Sequence, residues 1–149
     1  MRDKLREWII MFVGLYEYSI DSKGRIFIPS KFRRNNHFII TIGLDECLYA
    51  YPKDRWGKLE NKLDGLPFND KSEERAFKRV LLSGATELKP DSQGRILIPY
   101  HLRNYAKLKN DVIIIGVSSR IEIWSKSIWE KYNKNAKKLF FKHVSSLEI

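Results

Sequence analysis

The chain has 149 residues and a single cysteine, Cys47. That excludes an intrachain disulfide and any metal site built from several thiolates. Cys47 sits in the apolar, strand-like run DECLYAY, which marks it as a small buried hydrophobe rather than a nucleophile. The three histidines, His37, His101 and His143, do not recur at ligand spacing, so neither a metal nor another cofactor is expected. The apolar run near the N-terminus, Trp8 to Val13, has only six residues and no small-residue cleavage site after it. It is too short to span a membrane, and a reducing cytoplasmic location is expected. Nucleophile–base pairs and phosphate-cradling glycine loops are also missing: DSKGR lacks the G-x-x-x-x-G-K-[ST] frame. Catalysis is therefore not expected.

Acidic charge is the other shortage. The net charge is +10, from 28 Lys and Arg against 18 Asp and Glu. Residues 1–80 contribute +4 and residues 81–149 contribute +6, so both halves are basic and no acidic tail compensates. A polyanionic partner would use such a surplus, and solubility alone would also explain it. Hydrophobic residues make up 43%, which fits a folded chain.

What the sequence has is a repeat. DSKGRIFIPSKFR, Asp21 to Arg33, returns as DSQGRILIPYHLR, Asp91 to Arg103. Across Gly14–Arg33 and Gly84–Arg103, ten of twenty positions are identical at an offset of 70. The match resumes at an offset of 73, where Gly43 meets Gly116, Leu48 meets Ile121, Tyr51 meets Trp124 and Trp56 meets Trp129. The extra three residues fall around KLKND. The chain is thus a tandem duplication of one supersecondary unit.

Each unit reads in one order. A short alternating segment (GLYEYSI, GATELKP) leads to the turn signature Asp-Ser-x-Gly, then to the β-rich RIFI or RILI. Pro29 and Pro99 are placed to begin short helices. Two strand-like runs follow (FIITIG with CLYAYP, DVIIIGV with RIEIW), then a helix: KDRWGKLENKLDGL in the first copy, KSIWEKYNKNAKKLFFK in the second. A further helix over NDKSEERAFKRVLLSG, capped by Asn69 or Asp70 and ending at Gly84, joins the copies. The class is α+β.

Within the turn, an Asp carboxylate folds back onto backbone N–H groups two residues on, and glycine supplies a positive φ. Asp21, Gly24, Asp91 and Gly94 are therefore structural turn residues. Arg25 and Arg95 follow directly, and two roles stay open for them: a structural pair with the nearby Asp, or contact with phosphates and base edges.

With these residues laid out, the chain resembles the MraZ family, regulators encoded at the head of bacterial division and cell-wall gene clusters. The resemblance runs from Met11 to about Phe141 and rests on MFVG followed by DSKGRIFIP, on RAFKRVLLSGATE, on DSQGRILIP and on RIEIWSKSIW. It implies two AbrB-like swapped-hairpin units with flanking helices, joined as a pseudo-two-fold pair. It also implies ring-shaped homo-oligomers, octamers or larger, that bind double-stranded DNA at direct repeats in their own promoter, in the cytoplasm and in association with the nucleoid. The family's Asp-x-x-x-Arg positions fall on Asp21 and Arg25 and on Asp91 and Arg95. The sequence departs from the family pattern in MRDKLREWII, which precedes the usual start; Met11 is an alternative start, and the extension would crowd a ring interface.

On this reading the units are 12–57 and 83–130, with connecting helices over 58–82 and a basic C-terminal helix and tail over 131–149. The expected DNA-binding residues are Lys23, Arg25, Lys31, Arg33, Arg34 and Arg95. Five of them fall between Lys23 and Arg34, a stretch with no acidic residue. Arg both neutralises phosphate and reads guanine bidentately. In the second copy Gln93 replaces Lys23, so the first turn is the better contact. Lys131, Lys134, Lys137, Lys138 and Lys142 read as the solvated face of the last helix, and Arg75 and Arg79 likewise. Trp56, Trp124 and Trp129 follow the repeat and are expected to pack rather than to stack on bases. The competing class is a non-catalytic assembly protein without DNA specificity, which leaves the doubled Arg unused.

Overall fold

A computed structural model describes residues 11–34 and 36–148. The reading of the extension over residues 1–10 lies outside the described residues. Among the described residues eight strands and five α-helices follow one another: β1 (Phe12–Ser19), β2 (Arg25–Phe27), α1 (Ser30–Arg33), β3 (Phe38–Ile42), β4 (Leu48–Pro52), α2 (Lys53–Leu63), α3 (Lys71–Ser83), β5 (Thr86–Leu88), β6 (Arg95–Leu97), α4 (Tyr100–Ala106), β7 (Asp111–Ser118), β8 (Arg120–Ser125) and α5 (Lys126–His143), with a short 3-10 helix (Val144–Leu147) after the last. Six strands form one antiparallel sheet in the order β1-β7-β8-β4-β3-β5, and β2 pairs with β6 in a separate two-stranded ribbon. The mixed α+β class holds, with both expected copies present.

The copies exchange strands. β1 of the first pairs with β7 of the second, and β5 of the second pairs with β3 of the first. The ribbon is centred on Ile26 opposite Ile96, and the β4–β8 ladder on Tyr49 opposite Glu122. Those two centres mark a pseudo-two-fold axis. The core respects it: Ile26 and Ile96, Ile28 and Ile98, Phe32 and Leu102, and Leu48 and Ile121 are matched and buried in one cluster. Neither copy closes a core alone, because each supplies one wall of the other's.

The strand alternation explains which residues reach this core. β2 and β6 bury only their central isoleucines. β3 buries Phe38 and Ile40 there, while Thr41, on the other face, is buried and donates to the Leu81 carbonyl of α3 at 2.6 Å. α3 starts where its cap demands: the Asp70 carboxylate accepts the Ser72 N–H at 2.7 Å, and Gly84 ends it. Pro29 and Pro99 stand one residue earlier than expected, as caps of α1 and α4 rather than first helical residues. Their fixed φ suits either place, and the first turn is too tight to separate the two from sequence.

One expectation about the repeat is corrected. Tyr16 pairs with Ile114, and its counterpart Thr86 pairs with Ile40, so Ile40 answers to Ile114, 74 residues on. Gly43 and Gly116 are therefore not equivalent. Four residues rather than three are added before β7, and the next hairpin gives one back. The first copy turns through the longer Gly43–Cys47 loop, where the Gly43 N–H donates to the Cys47 carbonyl at 2.6 Å. The second turns through Ser118 and Ser119 alone, because Val117 already pairs with Arg120.

The helices break the symmetry. Trp124 is buried with Cys47 and Ile113 under the first turns of α5, touching Trp129 and Tyr132 at ring-centroid distances of 5.3 and 5.0 Å. Trp56 lies 5.8 Å from Tyr51, so the repeated aromatics do pack. The rest of α5 buries nothing, and its lysines are exposed, as are Arg75 and Arg79 on α3. Leu139, Phe140 and Phe141 on α5 are exposed as well.

Candidate nucleic-acid interface

The two Asp-Ser-x-Gly-Arg turns fold alike. In the first, one Asp21 carboxylate oxygen accepts the Lys23 and Arg25 N–H groups at 3.0 and 2.8 Å. In the second, Asp91 accepts the Gln93 and Arg95 N–H groups, both at 2.9 Å. Gly24 and Gly94 close the turns with φ of +85° and +84°, conformations that side-chain-bearing residues rarely adopt. Asp21, Gly24, Asp91 and Gly94 all lie within these two turns. The backbone donors hold both carboxyls below the usual carboxylate range, with help from the adjoining guanidinium.

The second carboxylate oxygen takes the arginine. Arg25 Nε donates to Asp21 at 2.7 Å and Arg95 Nε to Asp91 at 2.9 Å. The structural pair therefore exists in both copies. It uses only Nε, however, and among the described residues neither terminal fork nitrogen of Arg25 or Arg95 has a hydrogen-bond partner. With Ile26 and Ile96 pointing into the core, alternation turns Arg25, Phe27, Arg95 and Leu97 to the outer face of the ribbon. The pairing thus leaves the terminal nitrogens of both forks unbonded on partly exposed side chains, and the two readings left open by the sequence are compatible.

The other predicted cations divide. Lys23 is exposed at the first tip and Lys31 on α1. Arg34 is exposed in left-handed conformation just after α1. Arg33 does something else: its guanidinium lies across Gly94 of the other copy, where a Cβ would overlap it. Its counterpart Arg103 lies across Gly24, with Cζ 2.7 Å from where a Cβ would be. Arg103 Nε also donates to the Ile98 carbonyl at 2.9 Å. The backbone repeats the clasp, since the Ile28 N–H donates to the Gly94 carbonyl and the Ile98 N–H to the Gly24 carbonyl, each at 2.9 Å. Each copy's last motif residue thus covers the opposite turn. Arg103 was not among the expected site residues, although its place seventy residues after Arg33 was signal enough to pair the two.

The tips and the ribbon therefore carry Lys23, Arg25 and Arg95 on one pseudo-symmetric face, with Arg33 and Arg103 packed against the opposite turns. Cys47 takes no part. It is fully buried, and burial pushes its thiol up to about 12. Among the described residues no helix is long and apolar enough to cross a membrane.

The sequence matches the family model for "MraZ protein, putative antitoxin-like" twice, over residues 11–80 and 81–147. Three relatives carry the name "Transcriptional regulator MraZ". The protein of Acetivibrio thermocellus is 56% identical over 125 residues, which is 83% of this chain and 87% of the relative. That of Caldanaerobacter subterraneus subsp. tengcongensis is 54% identical over 127 residues, covering 84% and 88%. A Thermoanaerobacter protein is 49% identical over 144 residues, covering 93% of this chain and 100% of its own length.

Proposed function

This chain belongs to the MraZ family, and from that premise we propose that it is a sequence-specific, DNA-binding transcriptional regulator of a bacterial division and cell-wall gene cluster. It binds direct repeats in its own promoter as a ring-shaped homo-oligomer, an octamer or larger, in the cytoplasm and in association with the nucleoid. It is not an enzyme. The observation that carries the reading is the outer ribbon face, where two arginines, each anchored through Nε, stand diagonally across the register with their terminal fork nitrogens unbonded.

The roles follow from the geometry. Arg25 and Arg95 read guanine edges or hold phosphates, and Lys23, Lys31 and Arg34 neutralise phosphates around the first tip. Arg33 supports the second turn and reaches DNA only from its margin. Units 12–57 and 83–130 make a single reading head, 58–82 connects them, and 131–149 serves assembly. One head of this size binds weakly; repetition around a ring raises avidity on the order of 10²–10⁴ when repeats are spaced to match.

One observation favours the competing assembly reading. Leu139, Phe140 and Phe141 stand exposed on the outer half of α5, as a subunit contact would require. The ring uses that surface too, so it does not displace DNA from the account. The test is binding to the DNA upstream of its own reading frame by the unaltered chain and by Arg25→Ala, across a salt series. Binding that weakens steeply with salt and is lost in Arg25→Ala is expected. Equal binding by both would return Arg25 to a purely structural pair.

A further inference from the structure

The outer face of the β2–β6 ribbon carries more than arginine. Phe27 is 43% exposed and Leu97 54% exposed, and the antiparallel register sets Phe27 opposite Arg95 and Leu97 opposite Arg25. The four side chains form a small checkerboard, each apolar group next to one arginine along its own strand and across from the other. Phe27 touches Tyr18 at a ring-centroid distance of 6.1 Å but is not covered by it. A three-residue strand has two outward positions, and both copies spend one of them on a large apolar group between cations.

Phosphate offers such a group nothing. The major groove does: the 5-methyl of thymine is the apolar feature on its base edges, and the groove admits a two-stranded ribbon. We propose that Phe27 and Leu97 are specificity-determining residues of this face, each seated on a thymine methyl beside the bases that Arg25 and Arg95 contact. The positions are pseudo-two-fold equivalents filled by different residues, and Lys23 of the first turn is likewise replaced by Gln93 in the second, at the opposite end of the ribbon. The two halves of one DNA box are consequently read differently, and the box is not a palindrome. This rests on the DNA-binding reading above.

The experiment selects duplexes from a randomised pool with the full chain, then compares each selected duplex with its uracil-substituted twin, which lacks only the methyls. Wild type, Phe27→Ser, Leu97→Ser and the exchange Phe27→Leu with Leu97→Phe are measured, with circular dichroism to establish folding. Wild type loses about fourfold for each contacted methyl removed. Phe27→Ser binds the thymine duplex more weakly and becomes indifferent to uracil at one position, Leu97→Ser at a different one, and the exchange alters the selected box. If a serine variant fails to fold, Phe27→Leu alone carries the test, with a changed preference at a single position expected. Unchanged uracil responses in folded variants overturn the proposal while leaving DNA binding intact. A selected box with identical halves overturns the asymmetry. Failure of wild type to select any duplex overturns the DNA reading and this inference together.

Discussion

The first turn and the second are the same object with different surfaces. Their Asp-to-backbone bonds, Asp–Arg pairs and glycine φ values agree closely, and each is covered by an arginine from the opposite copy. What differs points outward: Lys23 against Gln93, Phe27 against Leu97, Ser30 against Tyr100. The frame is held in common because each copy builds part of the other, so a change in one turn is felt at its partner. The surface is under no such constraint and has diverged. Duplication thus yields a symmetric scaffold with an asymmetric face.

The comparison breaks first at the core if it is wrong. Ile26→Ala and Ile96→Ala each remove a buried side chain from the axis and should cost about 2–5 kcal/mol, by similar amounts. Denaturant unfolding checks this, and a large inequality would mean that one copy folds without the other. Next come Gly24→Ala and Gly94→Ala. Each forces a positive φ on alanine at about 1–3 kcal/mol and displaces the arginine of the opposite copy. Adding Arg103→Ala to Gly24→Ala should relieve part of the cost, a coupling that thermal melts of the double variant measure.

Acid sharpens the comparison further. Both turn carboxyls titrate below their ordinary range in the folded chain, whereas in the unfolded chain they titrate near 3.9. The stability they contribute is present above that value and is lost as pH falls through the lower folded values. Stability followed into acid should therefore decline less in Asp21→Asn and in Asp91→Asn than in wild type, and by like amounts. The smallest effect is at the tips. Lys23→Gln should reduce the slope of log affinity against log salt by about 0.9, and Gln93→Lys should raise it by about as much.

Much of this was legible in the residues. The doubled DxxGR marked the turn that leads into each ribbon strand, and RIFI and RILI marked those strands. Asp70 marked the start of α3. The exchange of strands was not legible from periodicity, since Tyr16 could pair within its own copy as well as with Ile114 of the other. Only the family resemblance implied it. The register of β3 was misread because Gly43 and Gly116 look equivalent, and a turn can absorb one residue without altering the apolar pattern. The candidate site was half visible. Sequence supplied Arg25 and Arg95 but could not say that Nε alone is spent on Asp. Nor could it say that Arg33 and Arg103 reach across to glycines far away in the chain.

The most direct measurement sets Arg25→Ala beside Arg95→Ala, and the double variant, in binding to the DNA upstream of the gene at several salt concentrations, with thermal melts alongside. Both single variants should bind more weakly than wild type while remaining folded, and the double should be weaker than either. Undiminished binding by folded Arg95→Ala would contradict a face shared by the two copies, and undiminished binding by both would remove the ribbon from DNA recognition altogether.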